Sequence, residues 1–210
     1  MIGLLLKIAL AYMLGSISGS MVVGSLRHVD IRKTGSGNAG GTNAFRTQGL
    51  KFALPVVLID IGKGIIAAWL FPQFDMSVPG APVSMEIQML ACGFAAVVGH
   101  CYPLWHGFRG GKGAATAVGA LLIIQPAALL SMVTVWILTL IVTGWVGLAT
   151  IFGALCLIPA FYWLQVSPTQ LWFAIALALF VIFTHRSNIR NIMNGTEHRF
   201  EKARFKNWFG

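Results

Sequence analysis

Long apolar stretches separated by short polar segments make up most of the chain. A helix that crosses a bilayer needs about 20 mostly apolar residues, and fewer where it is packed inside protein. On this basis the pattern predicts seven spans, at residues 2–25, 51–72, 86–105, 113–125, 127–143, 147–165 and 169–185. Gln125-Pro126 marks a turn after the short fourth span. If the fourth and fifth spans were instead one long kinked helix, the count would be six.

The composition agrees with a membrane protein. Of the 210 residues, 57% are hydrophobic and 10% are charged, and the mean hydropathy is +0.77. Soluble domains carry about 25% charged residues. A closed β-barrel would show alternating strands of about 10 residues, whereas the apolar runs here are long and continuous. We therefore expect an all-α polytopic membrane protein with seven transmembrane helices, forming a single integral-membrane domain over residues 1–210.

Positive charge is concentrated in three segments outside the predicted spans. Fifteen Lys and Arg face six Asp and Glu, which gives a net charge of +9. Thirteen of the fifteen lie in or beside these segments, and the two exceptions are Lys7 and Lys63. The thirteen are Arg27, Arg32, Lys33, Arg46 and Lys51, then Arg109 and Lys112, then Arg186, Arg190, Arg199, Lys202, Arg204 and Lys206. By the positive-inside rule these segments face the cytoplasm, and with seven spans the N-terminus is extracytoplasmic. The charge is thus explained by the lipid bilayer as partner, and we expect no nucleic acid.

The first basic segment, residues 35–46, is rich in glycine and in polar side chains. Glycine lets the backbone turn its N–H groups toward a ligand, and hydroxyl, amide and guanidinium groups donate hydrogen bonds to phosphate oxygens. The candidate binding residues of this segment are Ser36, Gly37, Asn38, Gly40, Thr42, Asn43 and Arg46. The alternative is a turn-rich loop without a ligand, since the same residue types are common in turns.

A second glycine-rich segment, residues 107–116, precedes the fourth span. Its core is Gly110, Gly111, Lys112 and Gly113. It is not a Walker A motif, because Lys112 is followed by glycine instead of Ser or Thr. A lysine at a helix start still combines an ammonium group with the free N–H groups and positive dipole end of that helix, which suits an anion. A tight turn with a lysine on the cytoplasmic side explains the segment equally well.

Ionisable residues also occur inside the predicted spans or at their ends. Asp60 and Lys63 are three residues apart, so they can pair on one helix face; the alternative is that Lys63 faces the binding site. His185 closes the seventh span, where a helix cap is the alternative to catalysis, and Asn188 shares its face if the helix continues. The three cysteines have no paired spacing and no acidic cluster occurs, so we expect no metal and no other cofactor.

Three ordered blocks of residues are similar to those of a known family. Residues 36–46 read Ser-Gly-Asn-x-Gly-x-Thr-Asn-x-x-Arg. Residues 99–116 read Gly-His-x-x-Pro-x-x-x-x-Phe-x-Gly-Gly-Lys-Gly-x-Ala-Thr, and residues 185–197 read His-x-x-Asn-Ile-x-x-x-x-x-Gly-x-Glu. Over essentially its whole length the chain resembles the bacterial membrane acyl-phosphate:glycerol-3-phosphate acyltransferases, the PlsY family.

The resemblance implies seven spans, a cytoplasmic active site and C-terminus, and a location in the bacterial inner membrane. It implies transfer of an acyl group from acyl phosphate to the 1-hydroxyl of glycerol 3-phosphate, giving lysophosphatidic acid and phosphate, with a functional link to the enzyme that produces acyl phosphate. The implied catalytic residues are Ser36, Arg46, Lys112 and His185. The implied substrate- and phosphate-binding residues are Gly37, Asn38, Gly40, Thr42, Asn43, His100, Gly110, Gly111, Gly113, Thr116, Thr150, Asn188 and Glu197.

The chain departs from the family pattern at two positions. Asn191 stands where the family usually has Arg, and Gly147 stands where a Ser is common. Thr150 lies three residues after Gly147 and shares its helix face, so we expect it to supply the missing hydroxyl. On that hypothesis, Gly147→Ser should partly restore a Thr150→Val variant.

Two other classes of protein share some of these features. A phosphate or organophosphate transporter would also have basic loops and apolar spans, but transporters place their site near mid-membrane, often between internal repeats. Here the polar blocks lie on one predicted face, and the sequence shows no repeat. A structural membrane scaffold leaves the glycine-rich blocks unexplained. The sequence also lacks an HxxxxD motif, and we therefore expect acyl-CoA to be a poor donor.

Overall fold

The computed structural model describes residues 2–75 and 82–205. Within these ranges all regular secondary structure is helical and no strand occurs, which confirms the all-α prediction. The chain divides into two compact units, residues 1–124 and residues 125–210. The single domain expected over the whole chain stays a prediction.

The first unit is built from α-helices joined by short 3₁₀ turns. Its helices are α1 (Ile2–Gly15), α2 (Gly19–Arg27), α3 (Gly41–Gln48), α4 (Leu50–Trp69), α5 (Met85–Cys101) and α6 (Ala114–Ile124). α4 packs along α6, and α1 packs along α5. The approach of α4 to α6 is close at Gly64, where a Cβ atom would collide with the backbone oxygen of Thr116. Small residues therefore set the packing of this unit.

The first predicted span, residues 2–25, is interrupted. α1 ends at Gly15, and α2 starts after Ser18, whose backbone is extended with φ −87° and ψ 119°. The break leaves the carbonyls of Gly15 and Ile17 without helical partners. The ammonium of Lys63, from α4, donates to them at 2.8 and 2.7 Å. A side chain from a neighbouring helix thus satisfies a break that the apolar pattern does not predict.

A second buried lysine, Lys7, forms hydrogen bonds between α1 and two other segments of this unit. Lys7 of α1 is 6% exposed, and its Nζ donates to the backbone oxygen of Pro72 at 2.8 Å and to Oε1 of Gln88 at 2.6 Å. The amide of Gln88 in turn donates to the backbone oxygen of Val83 at 2.8 Å. Lys7 therefore joins α1 to the segments on both sides of the α4–α5 connection.

The second unit contains α7 (Pro126–Thr143), α8 (Val146–Trp163), α9 (Pro168–Thr184) and α10 (Arg186–Met193). α8 packs between α7 and α9. A 3₁₀ turn at Glu201–Ala203 follows, and just before it the backbone N–H of Phe200 donates to the oxygen of Gly144 at 2.9 Å. Gln125 precedes Pro126 at the start of α7, so the fourth and fifth predicted spans are separate helices.

Five helical stretches of the described residues are long and apolar enough to cross a membrane. They are Ile2–Arg27, Leu50–Gln73, Met85–His106, Pro126–Thr143 and Val146–Trp163. A sixth is obtained if α9 and α10, which meet at a bend of 52°, count as one span, and Ala114–Ile124 is a shorter apolar helix. The protein is an integral membrane protein, whereas the count of seven spans stays a prediction. Large apolar side chains cover the outer faces, among them Leu5, Leu54, Leu58, Val142, Trp163 and Trp172.

Candidate functional site

A tight ion pair lies just before the first glycine-rich loop. Asp30 accepts hydrogen bonds from the backbone N–H and Nε of Arg32, both at 3.0 Å, and its second oxygen lies 3.0 Å from a terminal nitrogen of Arg32. The side-chain hydrogen bond from Arg32 lowers the pKa of Asp30, and the same bond raises the pKa of Arg32. The guanidinium also contacts the backbone oxygen of His106 at 3.5 Å. Arg32 therefore connects the first glycine-rich loop to the turn that precedes the second.

The side chain of Asn43 holds the loop together from inside. It is 2% exposed, and its Nδ2 lies within 3.1 Å of the backbone oxygens of Ile31, Thr34 and Asn38. Its Oδ1 accepts from the backbone N–H of Ser36 at 3.0 Å. These contacts use the donors and an acceptor of the amide. In this structure Asn43 orders the loop, and the ligand-binding role expected from the sequence stays a prediction.

The outward side of the loop carries the remaining candidates. Ser36 and Gly37 are exposed, and Gly37 has a left-handed φ of +72°, which favours glycine. Gly40 then precedes α3 in an extended conformation, without a side-chain cap on the helix. Thr42 lies in the first turn of α3, whereas Arg46 is half-buried in its last turn. Backbone N–H groups, a hydroxyl and a guanidinium are thus brought close along one short segment.

The second glycine-rich loop is held by backbone bonds to the end of α5. The N–H groups of Gly110 and Gly111 donate to the oxygens of Cys101 and His100, both at 3.1 Å. Gly113 has a φ of +87° and directly precedes α6. Lys112 therefore stands beside the first turn of a helix, as the sequence predicts, and it is half-buried.

Two candidates from this block lie behind the loop. His100 is 3% exposed, and its ring occupies the space that a Cβ atom of Gly111 would need. Thr116 is fully buried against Gly64, and its hydroxyl has no hydrogen-bond partner among the described residues. The structure thus places both side chains in the packing beneath the loop. The binding roles that the sequence suggests for them stay predictions.

In the second unit, His185 stands at the junction of α9 and α10. It is 4% exposed, and its Nδ1 lies 2.8 Å from the backbone oxygen of Val181. A carbonyl can only accept, so Nδ1 carries a proton in this bond, and in the neutral tautomer with that proton the lone pair lies on Nε2. The capping role considered from the sequence and a base role at Nε2 are therefore compatible.

Asn188 is held by the end of the third block. Its Nδ2 donates to Oε1 of Glu197 at 2.7 Å, and the amide of Asn191 reaches the other oxygen of Glu197 at 3.4 Å. The backbone oxygen of Asn191 also accepts from the N–H groups of Thr196 and Glu197, at 2.8 and 3.1 Å. Asn191 thus takes part in closing the turn that carries Glu197.

Thr150 is buried at the start of α8. Its hydroxyl donates to the backbone oxygen of Val146 at 2.9 Å and accepts from Nε1 of Trp136 at 3.2 Å. The hydroxyl hydrogen is used in the first bond, so donation to a phosphate oxygen would require Thr150 to leave Val146. The hypothesis that Thr150 replaces a hydroxyl missing at Gly147 would therefore need a local rearrangement.

An open cleft of about 520 Å³ adjoins Glu197 in the same unit. Its lining residues are Trp145, Ile192, Gly195, Glu197, His198, Arg199 and Glu201. The guanidinium of Arg199 lies over the ring of Trp145, 4.4 Å from its centre. Trp145 and Arg199 were not candidates from the sequence, because neither belongs to a motif with a recognisable spacing.

Metal ligands do not cluster in the part of the chain that the structure describes: no group of three or more His, Cys, Asp or Glu there could hold a metal ion. The chemical groups available at the loops are cations, hydroxyls, amides and backbone N–H groups. The features above define a helical membrane protein with two ordered, basic glycine-rich loops in its first unit and a His-Asn-Glu cluster in its second.

Comparison with known proteins gives the family. The family model described as glycerol-3-phosphate acyltransferase matches residues 5–195. The chain is 39% identical, over an alignment 228 positions long, to the glycerol-3-phosphate acyltransferase of Chlorobium luteolum, covering 95% of this chain and 97% of the relative. It is 38% identical over 190 residues to that of Symbiobacterium thermophilum, covering 90% and 91%. The chain therefore belongs to the glycerol-3-phosphate acyltransferase family.

Solved structures of the same family have the same fold. A crystal structure of PlsY (YgiH), an integral membrane glycerol 3-phosphate acyltransferase, in its glycerol 3-phosphate form, matches with a TM-score of 0.83 and 34% identity, over 94% of this chain and 95% of the other. The lysophosphatidic acid form of PlsY matches with a TM-score of 0.81 and 33% identity, over the same shares of the two chains. The family resemblance inferred from the three sequence blocks is confirmed.

Proposed function

We propose that this protein is an acyl-phosphate:glycerol-3-phosphate O-acyltransferase of a bacterial cytoplasmic membrane. The observation that carries the proposal is the pair of ordered glycine-rich loops in the first unit, with Arg46 and Lys112 beside them. Both proposed substrates bear phosphate, so the enzyme must hold two anions. Membership of the glycerol-3-phosphate acyltransferase family supports the acceptor.

In this proposal the first unit binds phosphate. Arg46 can give two parallel hydrogen bonds to phosphate oxygens, and Lys112 adds an ammonium at the start of α6. Ser36 is exposed on the loop that Asn43 orders, so its hydroxyl is available to a ligand. A contact of this charged kind contributes about 1.5–3 kcal/mol.

The proposed reaction needs no covalent intermediate with the enzyme. The 1-hydroxyl oxygen of glycerol 3-phosphate attacks the carbonyl carbon of acyl phosphate, the carbon–oxygen bond to phosphate breaks, and inorganic phosphate leaves. Acyl phosphate is already an activated mixed anhydride, so positioning and charge stabilisation supply most of the catalysis. The hydroxyl proton has two proposed acceptors: Nε2 of His185, whose Nδ1 is fixed by Val181, and an oxygen of a substrate phosphate.

Two features of the chain support acyl phosphate as the donor. It has no HxxxxD motif, and the basic groups at the loops suit a small terminal phosphate. We propose acyl phosphate as the donor, lysophosphatidic acid as the product, and a functional link to the enzyme that makes acyl phosphate. Both glycine-rich loops and the C-terminal tail are proposed to face the cytoplasm, where soluble glycerol 3-phosphate is present, with the N-terminus outside.

The test is an assay of phosphate release by the purified protein in detergent with palmitoyl phosphate. We expect release only when glycerol 3-phosphate is added, with saturation in both substrates. Release that is independent of glycerol 3-phosphate would indicate a hydrolase, and no release at all would contradict the proposal. Uptake of glycerol 3-phosphate into proteoliposomes without chemical change would instead support the transporter alternative.

A further inference from the structure

A single buried carboxylate contacts elements that support both glycine-rich loops. Oδ1 of Asp60, a fully buried residue of α4, accepts from the backbone N–H of Gly19 at 3.1 Å. The same oxygen lies 3.0 Å from Nζ of Lys63 and 3.3 Å from Nδ1 of His100. These partners come from α2, α4 and α5. Asp60 is therefore the meeting point of three helices inside the first unit.

One branch leads from Asp60 to the first loop. Gly19 is the first residue of α2, and Ser20 follows it. The hydroxyl of Ser20, which is fully buried, donates to the backbone oxygen of Ala39 at 3.0 Å. Ala39 lies between the candidates Asn38 and Gly40. The position of α2, which Asp60 fixes through Gly19, therefore sets the position of the middle of the first loop.

The other branch leads to the second loop. His100 lies against Asp60 through Nδ1, and the opposite edge of its ring fills the space beside Gly111. The backbone oxygen of His100 also accepts from the N–H of Gly111. A shift of the ring toward Gly111 would push against the loop that carries Lys112. The ring is thus a spacer between the carboxylate and the second loop.

Lys63 offsets the cost of burying the carboxylate of Asp60. A carboxylate removed from water is costly unless it is paired and hydrogen-bonded. Lys63 supplies the pairing charge and at the same time closes the break between α1 and α2 through the carbonyls of Gly15 and Ile17. The ion pair therefore fixes the start of α2 from both sides, at Ile17 and at Gly19.

We infer that Asp60 is a positioning residue that holds the two glycine-rich loops in register, acting on the first through Gly19 and Ser20 and on the second through His100. The inference rests on the proposed function only in taking the loops as the phosphate-binding elements. It assigns Asp60, Lys63 and His100 a role in placing Arg46 and Lys112, without contact between Asp60 and substrate.

The first test measures the distance between the two loops directly, without substrate. Spin labels are attached to cysteines introduced at Lys33 and Trp105, which are exposed in the first loop and in the turn before the second, with the three native cysteines replaced by alanine. We expect one narrow distance distribution in the parent. Asp60→Ala should broaden this distribution, and Ser20→Ala and His100→Ala should each broaden it to a smaller extent. Asp60→Asn keeps an acceptor for the N–H of Gly19, so its distribution should resemble that of the parent more closely.

The kinetic readout separates positioning from general stability. Asp60→Ala should raise the KM for glycerol 3-phosphate and lower kcat, together reducing kcat/KM about tenfold or more. The control is Lys7→Met, which removes another buried lysine of the same unit, whose hydrogen bonds go to Pro72 and Gln88, outside both loops. It should lower the melting temperature and leave kcat/KM and the distance distribution unchanged.

The inference would be overturned if folded Ser20→Ala and His100→Ala kept the parental distance distribution and the parental KM. If Asp60→Ala does not fold, these two variants alone test the inference. An equal change in Lys7→Met and Asp60→Ala would also overturn it, because the effect would then reflect stability alone. If the parent protein proves inactive with glycerol 3-phosphate, the proposed function fails, while the distance measurement still tests the positioning role.

Discussion

Gly147 and Asn188 are in direct contact: a Cβ atom at Gly147 would lie 2.6 Å from Cγ of Asn188 and 2.7 Å from both its Cβ and Nδ2. On its other side Asn188 is held by Glu197 at 2.7 Å. A larger residue at position 147 therefore requires Asn188 to move. This explains why glycine suits position 147, and it does not fit the expectation that Gly147→Ser would restore a Thr150→Val variant.

We predict that Gly147→Ala lowers activity through Asn188. The added methyl group should displace the Asn188 amide, and a displacement of about 1 Å in a catalytic group can cost about 100-fold in rate. We expect kcat/KM to fall about tenfold or more, measured with palmitoyl phosphate and glycerol 3-phosphate. The control is Gly62→Ala in α4, where a Cβ atom meets nothing within 4 Å. Parental activity in Gly147→Ala would contradict the claim that this contact places Asn188 for the reaction.

We predict that Arg46→Ala and Lys112→Ala each lose most activity while the protein still folds. Each removes a cation beside a glycine-rich loop and little core packing. Loss of one charge-assisted contact, about 1.5–3 kcal/mol, corresponds to about a tenfold to hundredfold lower rate. Steady-state kinetics measures the effect.

Lys33→Ala is the matched control for both variants, because it removes an exposed cation from the same basic segment. It should retain parental kinetics, which would exclude a general effect of net charge. Near-parental turnover in both Arg46→Ala and Lys112→Ala would remove these residues from the site.

We predict that Asn43→Leu loosens the first loop. Leucine has a similar size but removes the amide that donates to the carbonyls of Ile31, Thr34 and Asn38 and accepts from the N–H of Ser36. Each hydrogen bond lost in this way costs about 0.5–1.5 kcal/mol. Amide hydrogen exchange over residues 31–38 should accelerate, and the KM for glycerol 3-phosphate should rise. Gln48→Leu, at the exposed end of α3, is the control. Unchanged exchange in Asn43→Leu would refute the loop-ordering role.

We predict that the first loop faces the cytoplasm. Lys33 is exposed in that loop, so a single cysteine there, in a background without the native cysteines, reports its side of the membrane. An impermeant maleimide should label it only after the cells are opened. Labelling of intact cells would reverse the proposed orientation and place the glycine-rich loops outside. The orientation is predicted from the Lys and Arg residues, which occur in this loop and in the tail, whereas the sequence has none at 73–85 or 166–168.

The apolar pattern predicted where most helices lie, because hydrophobic length is a strong signal in a membrane protein. It could not predict the break between α1 and α2. That break is stabilised by Lys63, a residue of a different helix, whose pairing with Asp60 the sequence suggested without showing its partners at Gly15 and Ile17. Tertiary contacts of this kind leave no periodic trace in the sequence.

The site residues, too, could be predicted only in part from the sequence. Motif spacing located the glycine-rich loops and the His185 block, but residue type alone could not separate Ser36, which is exposed, from Asn43, which is buried and used inside the loop. The ion pair of Asp30 with Arg32 was missed, although an acidic and a basic residue two positions apart before a glycine-rich loop is a signal that could have indicated it. Its contact with His106 depends on the fold and could not have been found.

The most direct test of the central claim compares two acyl donors with the same purified protein. Initial rates of 1-acylglycerol 3-phosphate formation are measured by mass spectrometry with palmitoyl phosphate and with palmitoyl-CoA, in each case with glycerol 3-phosphate as acceptor. We predict one phosphate released for each product molecule formed from palmitoyl phosphate, and little or no product from palmitoyl-CoA. Comparable rates with the two donors, or no acylated product from palmitoyl phosphate, would contradict the account.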